Sequence, residues 1–314
     1  MSISSNTDYT AISHIINNNY SINVHKISLH RDMIGYVYFL EDNVKKYVLK
    51  IYRSFNLHNA LQTIEILEYL KENEYPVVAI VPTVIGSKSI TVDTPEGSCV
   101  GILFDYVDGS TPERTVEMDK IGLQIGKLHN IMQNYPQDLI NRTKGEYIDD
   151  YTQIMSSKNY SPNRIIDIQQ YGDELWTRIN KLSKGFCHGD AHTGNMIKTK
   201  NDKYVLFDFD DASGDYPIMD VAYMSHDTNF NRFYDDGYEK TMRMFERFYK
   251  GYCKERTLSD FEIKSIFDFI AVQHFQIVSR IVSCQGLQEV SFEFFDEQYV
   301  WLLNWENLCE RKNV

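Results

Sequence analysis

The pattern of apolar residues changes character near Gly109, and this limits the folds open to the chain more than any other feature. Upstream, Gly35 to Leu40 and Tyr47 to Tyr52 are strand-like runs flanking the polar turn Glu41 to Lys46, which predicts a β-hairpin. Leu57, Leu61, Ile64, Leu67 and Leu70 recur at helix spacing, so a helix is predicted over Asn56 to Lys71. Asn56 is placed to cap its start, and Pro76 follows its end. Strands are predicted over Val77 to Pro82, Ser89 to Val92 and Val100 to Tyr106. Pro95 and Gly97 mark a turn between the last two.

Downstream the pattern is mostly helical. Predicted helices cover Val116 to Met132, parts of Ile148 to Ile179 with a break near Pro162, Met219 to Thr228, Tyr238 to Tyr252, Ser259 to Cys284 and Phe295 to Glu310. Glycine costs helix stability, so Gly122 and Gly126 predict close packing of the first of these against another element. A short strand is predicted at Gly185 to Cys187. A hairpin is predicted from Asn195 to Thr199 and Tyr204 to Phe209 around Lys200, Asn201 and Asp202. The expected fold class is therefore α+β. A small antiparallel-sheet lobe spans residues 1–107 and a larger, mostly helical lobe spans 108–314, joined at Asp105 to Pro112. With 314 residues, each lobe can bury its own core. A cleft between two such lobes is the natural place for a ligand.

Charge narrows the partners. With 44 acidic and 32 basic residues the net charge is -12, which repels a phosphate backbone, so no nucleic-acid partner is expected. The five cysteines are scattered without a CxxC pair, against a disulfide framework or zinc knuckle. Met1 to Tyr20 is polar and asparagine-rich, with no apolar signal segment. Val77 to Ile85 is short and broken by Pro82, so no membrane span or membrane partner is expected. A reducing cytoplasm is the expected location. The sequence leaves the oligomeric state open.

The chemistry concentrates in His188-Gly189-Asp190-Ala191-His192-Thr193-Gly194-Asn195, followed by Phe207-Asp208-Phe209-Asp210-Asp211. Phosphoryl transfer needs a carboxylate beside the attacking hydroxyl and oxygen ligands that hold Mg²⁺ on the phosphates. Asp190 lies in a glycine-flanked loop, Asn195 opens a strand, and Asp208 follows the next strand. A loop and a hairpin can bring one amide and two carboxylates to one rim. His188 and His192 flank Asp190 and suit loop orientation rather than proton transfer. Upstream, Lys50 sits within an apolar strand, where an anionic ligand would give it a reason to be.

These segments resemble the aminoglycoside phosphotransferase and choline kinase superfamily, whose members share the two-lobed, protein-kinase-like fold. The resemblance runs from about Gly35 to Ala222, and Thr193 departs from it where proline is common. It implies that Asp190 is the catalytic base, that Asn195 and Asp208 bind magnesium, and that Asp220 is structural and supports the catalytic loop. It implies that Lys50 holds the α- and β-phosphates of ATP or GTP, paired with a helix glutamate, here Glu65 or else Glu68. Phe104-Asp105-Tyr106-Val107 resembles the inter-lobe hinge, where the Asp105 carbonyl and Val107 N–H would meet the base. Arg31 to Tyr36, with Gly35, occupies the place of the phosphate-covering loop.

The implied function is a Mg²⁺-dependent small-molecule kinase acting on a hydroxyl of an acceptor read by the helical lobe. Phe292, Phe294, Phe295, Tyr299, Trp301, Trp305, Tyr234 and Asp235 would suit a cationic or sugar-like acceptor, or form an ordinary aromatic core. For Asp210, Asp211 and Asp215 the expectation is extra acids near the rim. Two alternatives remain: a nucleotide-binding pseudokinase acting as a scaffold, and a metal-dependent phosphoesterase. The latter would need more His and Asp ligands than the nine histidines here offer in compact clusters.

Overall fold

The computed structural model describes residue 3, residues 5–33 and residues 35–314. The chain divides into two compact units, Met1–Thr111 with Gly194–Asp211, and Pro112–Thr193 with Ala212–Val314. The second hairpin, at 194–211, thus groups with the N-terminal sheet. A small antiparallel-sheet unit and a larger helical unit give the expected two-lobed α+β fold.

The first unit begins with helix α1 (Tyr9–Asn19), whose N-terminus is capped by Asp8 Oδ1, accepting from the Ala11 N–H at 3.1 Å. Five antiparallel strands follow in the spatial order β1-β2-β3-β5-β4. They are β1 (Lys26–Asp32), β2 (Gly35–Glu41), β3 (Lys46–Tyr52), β4 (Ile90–Thr94) and β5 (Gly97–Asp105). The β2–β3 turn forms because Asp42 Oδ1 accepts the N–H groups of Val44 and Lys45, both at 2.7 Å. One sheet face is apolar through the two-residue period. Tyr36, Tyr38 and Leu40 of β2 and Leu49 and Ile51 of β3 pack with Ile12, Ile15 and Ile16 of α1. The same alternation places Lys50 on the opposite face, between Val37 of β2 and Ile102 of β5 in register.

Helix α2 spans Leu57–Glu72, matching the expectation closely, although the side chain of Asn56 makes no capping bond. The predicted strand at Val77 to Pro82 is instead an extended connector. On one side Val77 and Val78 pair with Leu206; on the other Ala79, Ile80 and Val81 pair with Asp105, Phe104 and Leu103. This segment stitches the hairpin β6 (Met196–Lys198) and β7 (Tyr204–Leu206) to the edge of β5. It carries Asp208, two residues beyond β7, to Lys50, 158 positions earlier in the chain.

The second unit contains α3 (Arg114–Met132), α4 (Asp150–Ser157), α5 (Pro162–Ile179), α6 (Pro217–Ser225), α7 (Gly237–Tyr252), α8 (Asp260–Gln285) and α9 (Phe292–Lys312). The expected close packing of α3 is found against α7. A Cβ on Gly122 would stand 2.0 Å from the Phe248 carbonyl oxygen, and one on Gly251 would stand 1.7 Å from that of Asp119. Helix α8 starts at a capping box formed by Ser259 and Glu262. The aromatic residues of α9 divide: Phe295, Trp301 and Trp305 are buried, Phe294 and Tyr299 are half-buried and Phe292 is exposed, and Trp301 stacks on His274 at 3.9 Å between ring centroids. Trp301 and Trp305 also donate their indole N–H groups to the carbonyls of Asn229 and Phe267. Tyr234 is exposed but already faces the cations of Arg232 and Lys240.

Candidate active site

In the helical unit the loop bearing Asp190 is held from beneath. Cys187 and Ser213 exchange main-chain hydrogen bonds of 2.9 and 3.0 Å, and the Gly185 N–H donates to the Asp215 carbonyl at 2.8 Å. Gly189 then turns through φ +83°, a conformation that favours glycine. The turn directs two consecutive N–H groups at one carboxylate. The His188 N–H donates to Asp220 Oδ2 at 2.6 Å and the Gly189 N–H to Asp220 Oδ1 at 3.0 Å.

Asp220 is fully buried in α6 and is met from the far side by His129 of α3, Nε2 to Oδ2 2.9 Å, whose Nδ1 lies 2.9 Å from the Tyr252 hydroxyl. Burial lowers the His129 pKa, against the opposing pull of Asp220. The imidazole is therefore neutral, and the consistent assignment has Nε2–H donating to Asp220 and Nδ1 accepting from Tyr252. The sequence expectations assigned no role to His129 or to Tyr252.

Asp190 itself has His192 Nε2 at 3.6 Å. Burial pushes its pKa up, but His192, Arg280 and His188 together outweigh burial and hold the carboxyl well below the usual carboxylate range. It is ionised at neutral pH and able to accept a proton or a hydrogen bond.

In the sheet unit Lys50 Nζ lies 2.5 Å from both Asp208 Oδ1 and Asp210 Oδ2. Burial works against the lysine charge; the two carboxylates more than offset it and leave its pKa raised. Burial also raises Asp210, to about 6, with the charge of Asp208 adding to it against the pull of Lys50. One cation is shared by two carboxylates, so the lysine stays charged and the second carboxylate is only partly compensated. Asp208 sits at φ +65°, in the left-handed region that aspartate tolerates better than most residues. The Phe207 N–H donates to the Asn195 carbonyl oxygen at 3.2 Å, tying the buried Asn195 to the residue before Asp208.

The expected glutamate partner is not what the structure shows. Glu65 is exposed on α2, and Glu68 is paired with Lys88 at 2.8 Å. Asp210, read from sequence only as an extra acid, takes the second position at the lysine. The signal was present in Phe207-Asp208-Phe209-Asp210, where two acids follow one strand, but the helix-glutamate expectation obscured it.

The remaining sequence-derived residues have clear places. Asp105 ends β5; its N–H donates to the Ala79 carbonyl, its carboxylate pairs with Lys45 at 2.5 Å, and Val107 follows two residues later. Within Arg31 to Tyr36, β1 continues to Asp32 and β2 starts at Gly35, so the described part is a hairpin corner; Ile34 lies outside the described residues. A Cβ on Gly35 would approach the Ile51 carbonyl oxygen at 2.7 Å, which explains the glycine by strand packing alone.

Among the described residues no group of three His, Cys, Asp or Glu side chains is arranged to hold a metal ion, and no helix is long and apolar enough to cross a membrane. The oxygen donors of Asn195 and Asp208 fit Mg²⁺, a hard cation commonly held by one or two protein oxygens together with substrate phosphates. A broad open groove lined by Thr152, Ser156, Gln169 and Arg178 carries none of these residues.

Comparison with known proteins bears on the family and the fold. The model of a family described as "Phosphotransferase enzyme family" matches residues 28–256, a span that includes every residue placed above from Gly35 to Tyr252. An uncharacterised protein of Synechocystis is 23% identical over 199 residues, covering 59% of this chain and 55% of that protein. The chain thus spans about half the length of this curated relative. Among solved structures, an amicoumacin kinase in complex with AMP-PNP, Ca²⁺ and Ami is similar with a TM-score of 0.77 at 20% identity, covering 98% of this chain and 94% of that one. A microcompartment-associated aminopropanol kinase is similar with a TM-score of 0.76 at 16% identity, covering 96% and 97%. Both likenesses concern the fold, and the family match concerns the sequence that builds the Lys50 and Asp190 sites. Together they place this chain in the phosphotransferase enzyme family, within the aminoglycoside phosphotransferase and choline kinase superfamily of protein-kinase-like fold.

Proposed function

We propose that this chain is a small-molecule kinase, transferring the γ-phosphoryl group of ATP or GTP to a hydroxyl of a small acceptor. The observation that carries this reading is the ion pair of Lys50 with Asp208, which joins a cation suited to phosphates to a carboxylate suited to magnesium in one unit. In this reading Lys50 steadies the α- and β-phosphates, and the backbone of Asp105 and Val107 receives the base. Asn195 and Asp208 would hold Mg²⁺, which supplies charge neutralisation at the phosphate oxygens. Asp190 orients the acceptor hydroxyl and accepts its proton. Asp220, through the His188 and Gly189 N–H groups, keeps the Asp190 loop in shape. Alignment and electrostatics supply most of the acceleration.

The buried state of Phe295, Trp301 and Trp305 removes much of the aromatic argument for a cationic acceptor. The acceptor class is therefore left to experiment. A cytoplasmic location belongs to the same reading, which the five free thiols support.

The test is a coupled nucleotide-turnover assay with ATP and GTP across amino alcohols, sugars, hydroxy amino acids and hydroxylated antibiotics. Turnover with at least one acceptor is expected, together with loss of magnesium-supported nucleotide binding in Asp208→Ala. Binding of Mg-ATP with no turnover across the panel would favour a scaffold. Hydrolysis of a phosphoester without nucleotide would favour a phosphoesterase. Either result would overturn the proposal.

A further inference from the structure

We propose that Asp210 is the carboxylate that anchors Lys50 for nucleotide binding, taking the part expected of a helix glutamate. The inference rests on the kinase reading of Lys50 and adds a positioning residue to it. The Asp210 carboxylate is held at 2.5 Å from Lys50 Nζ. It is also fixed from two other directions. Its Oδ1 accepts from the Tyr52 hydroxyl at 2.8 Å, and its main-chain oxygen accepts from Asn59 Nδ2 of α2 at 2.8 Å.

Tyr52 is two residues from Lys50 on β3, and Lys50 Nζ lies 5.0 Å from the centroid of its ring. Strand periodicity alone puts both side chains on one side. The ammonium is therefore surrounded by a rigid set: a ring on its own strand, and a carboxylate pinned by that ring's hydroxyl.

The acids on α2 have other surroundings. Glu68 binds Lys88 and Glu65 is exposed. Helix α2 still reaches the lysine, but through Asn59 and then Asp210. A lysine with a side chain only 16% exposed needs a lasting counter-charge. Asp208 cannot supply that alone if its oxygens also serve magnesium, because a carboxylate shared with a divalent cation attracts the ammonium less. Asp210 leaves Asp208 available for the metal while Lys50 remains aimed at the phosphates.

The experiment compares wild type, Asp210→Asn, Asp210→Glu, Tyr52→Phe and Glu65→Gln by calorimetric titration with ADP, with and without Mg²⁺, alongside steady-state kinetics and thermal melts. Asp210→Asn is expected to weaken ADP binding and raise the nucleotide KM by roughly tenfold or more, with a smaller change in kcat. Asp210→Glu should recover a large part of this, and Glu65→Gln should bind as wild type does.

A merely structural Asp210 would lower the melting temperature and leave the affinity of the folded fraction unchanged. That result overturns the inference, as does a Glu65→Gln loss matching that of Asp210→Asn. Should Asp210→Asn fail to fold, Tyr52→Phe decides: a raised nucleotide KM at unchanged kcat supports the anchor, and an unchanged KM overturns it. Wild-type protein that binds no nucleotide would sink the kinase reading and this inference with it. Wild-type binding that Asp210→Asn and Tyr52→Phe leave intact would remove the anchor alone.

Discussion

Asp220 Oδ2 stands 2.9 Å from His129 Nε2 while the same oxygen receives the His188 N–H, so one buried carboxylate joins helix α3 to the loop that carries Asp190. Its second oxygen takes the Gly189 N–H. Three donors converge on a group with no exposed surface, and each is a charge-assisted hydrogen bond. Asp220→Asn keeps the volume but removes the charge and turns one end of the side chain into a donor facing donors. Unfolding free energy should fall by roughly 2–3 kcal/mol, the scale of a lost buried hydrogen bond to a charged group. Turnover should fall further than the folded fraction explains, because the loop holding Asp190 loses its template. Nucleotide affinity should hold, since Lys50, Asp208 and Asp210 lie in the other unit. Urea melts and calorimetric ADP titration on the same preparation separate the two effects.

Asp190→Ala tests the base directly. Turnover should drop by roughly 10²–10⁴-fold, the usual contribution of a positioned base, with nucleotide affinity little changed. The pH profile of the wild type carries a second check. His192, Arg280 and His188 hold the Asp190 carboxyl below the usual carboxylate range against the effect of burial, so it remains ionised as pH falls toward that range. The rate with a neutral acceptor should therefore show no ascending acid limb from this group between about pH 5 and 7. Steady-state kcat/KM across that interval measures it, and a limb that disappears in Asp190→Ala would contradict the lowered pKa while leaving Asp190 as the base.

The α3–α7 contact inverts an ordinary expectation. Alanine in place of glycine in an open helix interior gains about 1 kcal/mol. At Gly122 and Gly251 the new methyl would enter main-chain carbonyl oxygens at 2.0 and 1.7 Å, so the helices must separate. Gly122→Ala and Gly251→Ala should each destabilise by about 2 kcal/mol or more. Gly126→Ala should cost less, because its closest neighbours, the Tyr252 carbonyl oxygen and Glu255 Cβ, stand at 3.0 Å. Denaturant midpoints for the three variants give the order, and a stabilised Gly122→Ala would show that the helix contact is looser than described.

What could be read from the sequence followed periodicity and local turn chemistry. The β2–β3 hairpin, helices α2, α3 and α7 to α9, and the Asp190 loop all lie close to their expected bounds, because each is specified by residues a few positions apart. Helix α1 and strand β1 were missed. The helix is rich in polar residues, and only Ile12, Ile15 and Ile16 mark its buried side; β1 is an edge strand with largely exposed side chains. Val77 to Pro82 has strand-like composition, yet it pairs briefly with two different partners instead of forming a ladder. The two acids after β7 were a local hint, but the pairing of Asp210 with Lys50 depends on that stitching across more than 150 residues of chain. The glutamate expectation came from resemblance, and the surroundings of Glu65 and Glu68 did not follow it.

Buried histidines contribute to the loss of stability in acid. His274 packs against Trp301 and Phe230, with ring centroids 3.9 and 4.8 Å away, and burial lowers its pKa to about 3. His129 is lowered by burial as well. In the unfolded chain both titrate near the ordinary histidine value of about 6.5. Between the folded and unfolded values the unfolded state binds more protons, so folding stability decreases as pH falls. The loss begins as pH drops through about 6.5 and continues for His274 toward about 3. Its limiting slope is roughly 1.4 kcal/mol per pH unit for each histidine. His274→Phe keeps an aromatic ring against Trp301 and Phe230 but cannot take up a proton. Urea midpoints at pH 7, 6, 5 and 4.5 should therefore fall less steeply for His274→Phe than for wild type. Parallel curves would mean that the His274 ring is solvated or partnered in a way that lets it charge without cost.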